Sequence, residues 1–337
     1  MSVKDLLVSV IVSTYNSERF IRGKIEDLLN QSIFDKIEII IINSGSLENE
    51  EIIIKEYLNK YKNIKYLKSE SRQTIYEAWN FAIKNSKGTF ITNSNTDDRL
   101  RKDALEVMAN YLIQNPEVAL VYSDQIISNI ENERFIDLKR IEVLKFPDFK
   151  INYMLERCII GSQPMWRSSL HFQDNIWFDE KFEVCGDHDF ELRVALKYKI
   201  HHLNIPLGLY YKSPDKKNKE YENLDRNLRE VRKIQETYIP IFLNSLNANE
   251  LNELKKFYRK YLFFPLPVLF MIKFLMKLLN TTYPKFFFHS IGFIYFMNIL
   301  LYKKMNNSLK AIKLSKRYLK YKKSDLVLLG LKLEVGS

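Results

Sequence analysis

The sequence predicts an α/β fold: a doubly wound, mostly parallel sheet followed by a basic helical C-terminal region. Three observations predict it. Apolar, β-branched runs alternate with segments of helical period up to residue 125. The connections between them are short, as they are where helices cross over between parallel strands. Positive charge is concentrated at one end: from Glu250 onward there are 17 Lys and Arg against 4 Asp and Glu, out of 52 and 41 in the 337-residue chain.

The elements follow in order. LVSVIVS (7–13) reads as the first strand. In SERFIRGKIEDLLNQ (17–31), Ile21, Ile25, Leu28 and Leu29 share one helical face, and Ser17 is placed to cap it. KIEIIIIN (36–43) is apolar almost throughout, as a strand covered on both faces should be. NIKYLK is the third strand, TIYEAWNFAIKN a helix, and GTFITN the fourth strand. RKDALEVMANYLIQN is a helix ended by Pro116, and VALVYSD is the fifth strand. Sheets of this kind bind ligands beyond the carboxyl ends of their strands. Polar residues collect there: Thr14–Tyr15–Asn16, Asn43–Ser44–Gly45–Ser46, Asn95–Asp98 and Ser123–Asp124.

Between 125 and 215 the periodicity weakens, which predicts a loop-rich half with mixed strands. Asp187 and Asp189 stand there at the start of a helix that continues through Phe190, Leu192 and Val194. A charged helix is predicted from Asp225 to about Glu236. The expected division is a domain at 1–240 and a basic, Phe-rich helical region at 241–337.

In the second region the longest lysine-free stretch, Phe286–Tyr302, has 17 residues. That is short of the ~20 apolar residues a spanning helix needs. LKAIKLSKRYLKYKK then reads as a basic amphipathic helix. Such a tail suits an anionic membrane surface, where each Lys or Arg contributes about 1 kcal/mol. A nucleic-acid surface would also welcome the charge, but long Phe-rich runs suit a hydrophobic partner better, so no nucleic-acid partner is expected. The expected location is cytoplasmic, peripheral on the inner face of the cell membrane. The two cysteines, Cys158 and Cys185, have no metal spacing and suit a reducing compartment. The N-terminal apolar run is too short and too alternating for a secretory signal.

The stretch TFITNSNTDDRLRKDAL (89–105) sets Asp97 and Asp98 side by side after a strand. Such a pair can cap a helix starting near Leu100. It can equally hold Mg2+ or Mn2+, hard cations that prefer carboxylate oxygens and complete their shell with substrate phosphates. Asp187 is open to two readings as well, because the helix macrodipole alone favours an acid in a first turn.

The stretches VSVIVSTYN, LLNQS, EIIIINSGS and AWNFAIKNSKGTFITNSNTDD stand in an order and spacing that resembles the family 2 glycosyltransferases of GT-A fold. These are inverting enzymes that use nucleotide-activated sugars. The resemblance runs from about Val8 to Tyr211. It implies that Thr14, Tyr15 and Asn16 line a nucleotide pocket, and that Asn43 and Ser44 stand where the family carries acids for the base. It implies that Arg72 and Asn80 reach the nucleotide, and that Asn95–Thr96–Asp97 occupies the Asp-x-Asp motif with Asn95 in place of the first acid. Asp97 and Asp98 would then hold Mn2+ or Mg2+. Asp187 matches the catalytic base, supported by Asp189, and Gln163, Trp166 and Arg167 fall where donor and acceptor sugars meet.

The implied activity is transfer of a sugar from a nucleotide diphosphate donor, expected to be a UDP-sugar, to a glycan or lipid-linked acceptor in cell-surface polysaccharide assembly. A catalytically inactive nucleotide-sugar-binding module is the alternative, since Asn43 and Asn95 each replace an acid. Other chemistries find no support in the sequence. It has no HExxH, no GxGxxG, no Walker lysine loop and no nucleophile elbow.

Overall fold

A computed structural model describes residues 6–139, 141–214 and 224–254. The chain divides into two compact units after Ile234. The first unit alternates strand and helix as far as the fourth long strand: β1 (Val8–Thr14), α1 (Glu18–Leu29), β2 (Ile37–Asn43), α2 (Glu50–Leu58), β3 (Ile64–Lys68), α3 (Ile75–Lys84) and β4 (Phe90–Asn93). Then come β5 (Arg99–Leu100), α4 (Ala104–Gln114), β6 (Val118–Ser128), β7 (Val143–Leu144), α5 (Ile151–Glu156) and β8 (Met165–Arg167). After them are α6 (Ser169–Phe172), α7 (Gly186–Ala195), β9 (Lys199–Tyr211) and α8 (Leu224–Ser245), the last crossing the boundary between units.

The sheet order is β3-β2-β1-β4-β8-β6-β9-β5, with β7 paired to β6. Strands β1 to β4 pair in parallel, as does β6 with β9. β8 runs antiparallel between β4 and β6, and β5 antiparallel to β9. The sheet is therefore mostly parallel, as the sequence predicts. All seven residues of β2 are buried, so its unbroken Ile run is the signature of a strand covered on both faces. The apolar face of α1 packs Ile21, Ile25 and Leu28 into the same core as Val8, Val10 and Val12 of β1.

Local signals differ from expectation at four places. The segment after β2 forms α2, whose run Glu50–Leu58 shows no clean helical stripe in the sequence. The fifth long strand continues to Ser128, so Ser123 and Asp124 lie inside β6 and not beyond its end. The helix after the paired acids starts at Ala104, and Arg99–Leu100 are strand, so Asp97 and Asp98 cap nothing. Ser17 precedes α1, but its hydroxyl donates to Tyr15 O, and Glu50 accepts the Ser17 N–H at 2.8 Å.

A wall of rings joins α7 to the sheet. Phe190 of α7 stacks on Phe178 at 4.4 Å and meets Trp166 of β8 at 5.6 Å. The Trp166 indole N–H donates to His171 Nε2 at 2.8 Å, and burial pulls His171 down to about 4, which keeps that nitrogen an acceptor. Among the described residues no helix is long and apolar enough to cross a membrane. The expected membrane-binding tail lies, beyond residue 254, outside the described residues.

Deleting the indole leaves a cavity at the centre of this wall. Trp166→Ala is therefore expected to lower stability by about 3–5 kcal/mol in chemical denaturation.

Candidate active site

Two polar clusters lie at the carboxyl ends of β1, β2 and β4. The first joins the β1 and β2 ends. Asn16 adopts φ 50° and Gly45 φ 75°, left-handed conformations that turn both loops sharply. A Cβ on Gly45 would lie 2.8 Å from the Ser71 carbonyl carbon, so the loop before α3 passes directly over it. Asn16 accepts the Leu47 N–H and Ser44 donates to Thr14 O, which ties the loops together. Beneath them Glu50 is fully buried and accepts from Thr14 Oγ1 at 3.2 Å and Ser46 Oγ at 2.7 Å. Across the opening, the Arg72 guanidinium lies over the Tyr15 ring at 3.4 Å from its centroid.

The structure thus brings Thr14, Tyr15, Asn16, Asn43, Ser44 and Arg72 into one crevice. Asn43 is a shaping residue there: its Oδ1 accepts the Ser46 N–H at 2.8 Å and its side chain also bonds Tyr66. It is 2% exposed, so the expectation that it holds the base gives way. Tyr15, Asn16 and Arg72 are the accessible groups.

The second cluster is the turn after β4. Asp98 is 1% exposed, and its carboxylate accepts from the Tyr211 N–H at 3.0 Å and bonds Asn95 and Ser162. Burial, then the neighbouring Asp97, pushes Asp98 up to about 7. Asp97 is only partly buried, and loss of water raises it above the ordinary carboxylate range. Thr96 contributes its carbonyl, which accepts from Arg99 Nη1 at 2.8 Å. The metal expectation must therefore be corrected at Asp98, whose oxygens are committed to the fold. Among the described residues no group of three or more His, Cys, Asp or Glu side chains forms a metal cage. Asp97 alone fits a cation whose remaining ligands are phosphate oxygens and water.

Three residues of this turn's support escaped the sequence reading. Lys24 is completely buried, donates to Ser94 Oγ at 2.9 Å and pairs with Asp27 at 3.6 Å. Desolvation pulls its ammonium down to about 8. Asp27 accepts the Leu100 N–H at 3.0 Å, and Arg99 bonds the carbonyls of Thr96 and Asp98 and the Asn132 side chain. The signal was present, since Lys24 interrupts the stripe of Ile21, Ile25 and Leu28 with Asp27 three residues on.

Asp187 stands in the first turn of α7, partly exposed, and accepts from its neighbour's His188 N–H at 2.8 Å and from Tyr76 OH at 3.3 Å. Tyr76 belongs to the first turn of α3 and also donates to Val184 O. Gly186 lets that ring approach, because a Cβ there would sit 2.7 Å from it. Glu230 of α8 accepts the N–H groups of Glu183, Val184 and Cys185, which fixes the entry to α7. Arg72 touches Tyr15 and Tyr76 touches Asp187. A backbone run of at most ~14 Å, from Arg72 to Tyr76, therefore links the crevice to Asp187.

Five further expectations are corrected. Trp166 is 1% exposed within the ring wall, so no sugar can stack on it. Arg167 bonds the carbonyls of Leu112, Asn115 and Val118 at the amino end of β6, the wrong end of the sheet for a sugar site. Asn80 is spent on the Phe178 backbone and the Glu180 side chain. Gln163 links Ser94 to Arg99 O, and Asp189 is bound by Arg193 at 2.6 Å, so both act as braces.

The sequence model described as Glycosyl transferase family 2 matches residues 9–169, the span that contains the crevice and the β4 turn. The chain carries a family 2 glycosyltransferase domain. An uncharacterized glycosyltransferase of Methanocaldococcus jannaschii is 29% identical over 214 residues, covering 63% of this chain and 72% of that one. The minor teichoic acid biosynthesis protein GgaB of Bacillus subtilis is 26% identical over 266 residues, 72% of this chain but 28% of GgaB. The crystal structure of residues 1–349 of S. aureus TarS in complex with UDP-GlcNAc aligns with a TM-score of 0.60 and 18% identity, over 94% of this chain and 92% of that one. That likeness establishes the GT-A fold of this glycosyltransferase domain.

A buried Asp that ionises near pH 7 has a signed effect on stability. The native carboxyl holds its proton more tightly than an unfolded one, so the fold loses stability as pH rises from about 4 to about 7. Asp98→Asn, which keeps an acceptor for the Tyr211 N–H, is expected to flatten that loss in melting curves taken between pH 5 and 8.

Proposed function

We propose that the protein is an inverting glycosyltransferase that moves a sugar from a UDP-sugar donor to a hydroxyl of a glycan or lipid-linked acceptor in cell-surface polysaccharide assembly. The observation that carries the reading is the run from Arg72 to Tyr76, which joins the Tyr15 crevice to the Asp187 carboxylate. The TarS complex with UDP-GlcNAc and the relationship to GgaB support the donor class and the setting.

In this reading the nucleobase enters against Tyr15 and Arg72, with Asn16 at the rim. The diphosphate lies toward the amino-terminal side of the β4 turn. Asp97 would hold Mg2+ or Mn2+, which would offset charge on the leaving diphosphate. An acceptor hydroxyl has a pKa far above 7, so its proton must leave as its oxygen attacks. Asp187 takes that proton, a new bond forms from acceptor oxygen to anomeric carbon, and the bond to the diphosphate oxygen breaks on the opposite face. The nucleoside diphosphate leaves with that electron pair and the configuration inverts. Tyr76 and Glu230 keep the base in place by holding the start of α7.

Membrane attachment through the basic region at 241–337 completes the proposal, because it would present the site to an acceptor at the cytoplasmic surface. Its support is the sequence composition.

Asp187→Asn is expected to reduce transfer at least ~100-fold, the lower end of general-base contributions, with donor affinity within about twofold. Transfer by the variant at the wild-type rate would remove Asp187 from its role. A melting-temperature screen with UDP, GDP, CDP and dTDP, with and without Mn2+, tests the donor site. Donor at 100 times its Kd adds ~2.7 kcal/mol of stability, and UDP with Mn2+ is expected to give the largest shift. Asp97→Asn is expected to remove the Mn2+-dependent part and leave the rest.

A further inference from the structure

The helix α7 carries acids at three alternate positions, Asp187, Asp189 and Glu191. Asp189 is answered one turn on by Arg193, with which it forms an ion pair. Asp187 is followed one turn on by Glu191, a second acid. Residues at i and i+4 face the same way along a helix, so these two carboxyl groups are neighbours of like charge. Glu191 is 4% exposed. Its hydrogen-bond partner among the described residues is the thiol of Cys158, which donates to Oε2 at 3.3 Å.

We infer that Glu191 is a positioning residue for the proposed base: Asp187 and Glu191 form one carboxyl pair that carries a single negative charge, and the surroundings of Glu191 keep that charge on Asp187. The inference rests on the reading of Asp187 as base.

The physical argument is an asymmetry of solvation. Asp187 is partly exposed and, among the described residues, accepts from the His188 N–H and the Tyr76 hydroxyl. Glu191 faces Cys158 from the segment after α5, and Tyr122 from β6 is near enough to feel its charge. Neither is a cation. Burial pushes the Cys158 thiol well above its ordinary range, so it remains a donor, and burial likewise raises the Tyr122 hydroxyl. Ionised Glu191 would be a desolvated charge beside a like charge, and both effects favour its protonated form. Burial, then Asp187, holds its carboxyl well above the usual carboxylate range.

The consequence for the base is specific. When Asp187 accepts the acceptor's proton, the repulsion acting on Glu191 disappears and Glu191 becomes easier to ionise. The two groups titrate as a pair, and the proton affinity of Asp187 depends on whether Glu191 is charged. An apolar residue at 191 would provide no such coupling. The two carboxyls are also separable by environment, the pattern by which one acid is kept charged while its neighbour is kept neutral.

Infrared difference titration of the full chain tests this without needing turnover. In an Asp98→Asn background, which removes the other buried carboxyl that holds its proton near pH 7, the chain at pH 7 is expected to show the C=O stretch of protonated Glu191. Glu191→Gln should remove that band, and Cys158→Ala should shift its frequency by deleting the thiol donor, which assigns it independently if the Gln variant folds poorly. In Asp187→Asn the band should be lost at a pH lower by about one unit or more, because the like charge is gone. In that background, a band that survives Glu191→Gln, or an added Asp187→Asn change that leaves its titration unmoved, would overturn the pair. If sugar transfer is found, an alkaline inflection in kcat should coincide with loss of the band and vanish in Glu191→Gln. A moving titration in a chain that transfers no sugar would leave the pair standing and sink the proposed activity. Transfer with an unmoved titration would do the reverse.

Discussion

The candidate site depends on a knot of buried charge under the turn after β4. Lys24, Asp27, Arg99 and Asp98 are held there out of water, and each is bonded to backbone or side chain of the turn. Taking such groups from water costs several kcal/mol apiece, and breaking one partner leaves an uncompensated charge. What the arrangement provides is shape. Arg99 folds back on the carbonyls of Thr96 and Asp98, so the chain must reverse there, and the reversal leaves Asp97 as the more accessible acid. Room for the guanidinium comes from Gly23, where a Cβ would stand 2.6 Å from Arg99 Nη2.

The second half of the site is located by packing and one carboxylate. Phe190 fixes α7 against Phe178, His171 and Trp166, while Glu230 gathers three consecutive N–H groups at the entry to the helix. A negative group at those amides is favoured by the helix dipole as well as by the hydrogen bonds. Asp187 is thereby presented by a helix end that is braced from two sides, and the Tyr76 hydroxyl orients it.

Much of the sheet was legible because period-2 and period-3.6 patterns are local. The Ile run of β2 and the stripe of α1 declare themselves within a dozen residues. β8 does not, since Met165–Arg167 is only three residues long and earns its place by pairing with strands far away in sequence. The same distinction governs the site. Asp97 and Asp187 were found by motif, and the structure places both at accessible helix or strand ends. Trp166, Arg167, Asn80 and Asp98 sit near the motif positions, but their side chains are turned toward rings, carbonyls and amides that no local pattern reveals. Glu191 was overlooked for a related reason: an acid in a helix reads as surface until its neighbours are known.

The hydrogen bond between Asp98 and the Tyr211 N–H joins residues 113 positions apart. Its consequence concerns the order in which the molecule is made. Strands β1 to β4 can associate once the first hundred residues have emerged, because their pairings are with one another. Asp98 cannot gain that partner until β9 has been synthesised and docked, and closing so long a loop is slow. The chain thus acquires its parallel scaffold early and the contact that anchors Asp98 late.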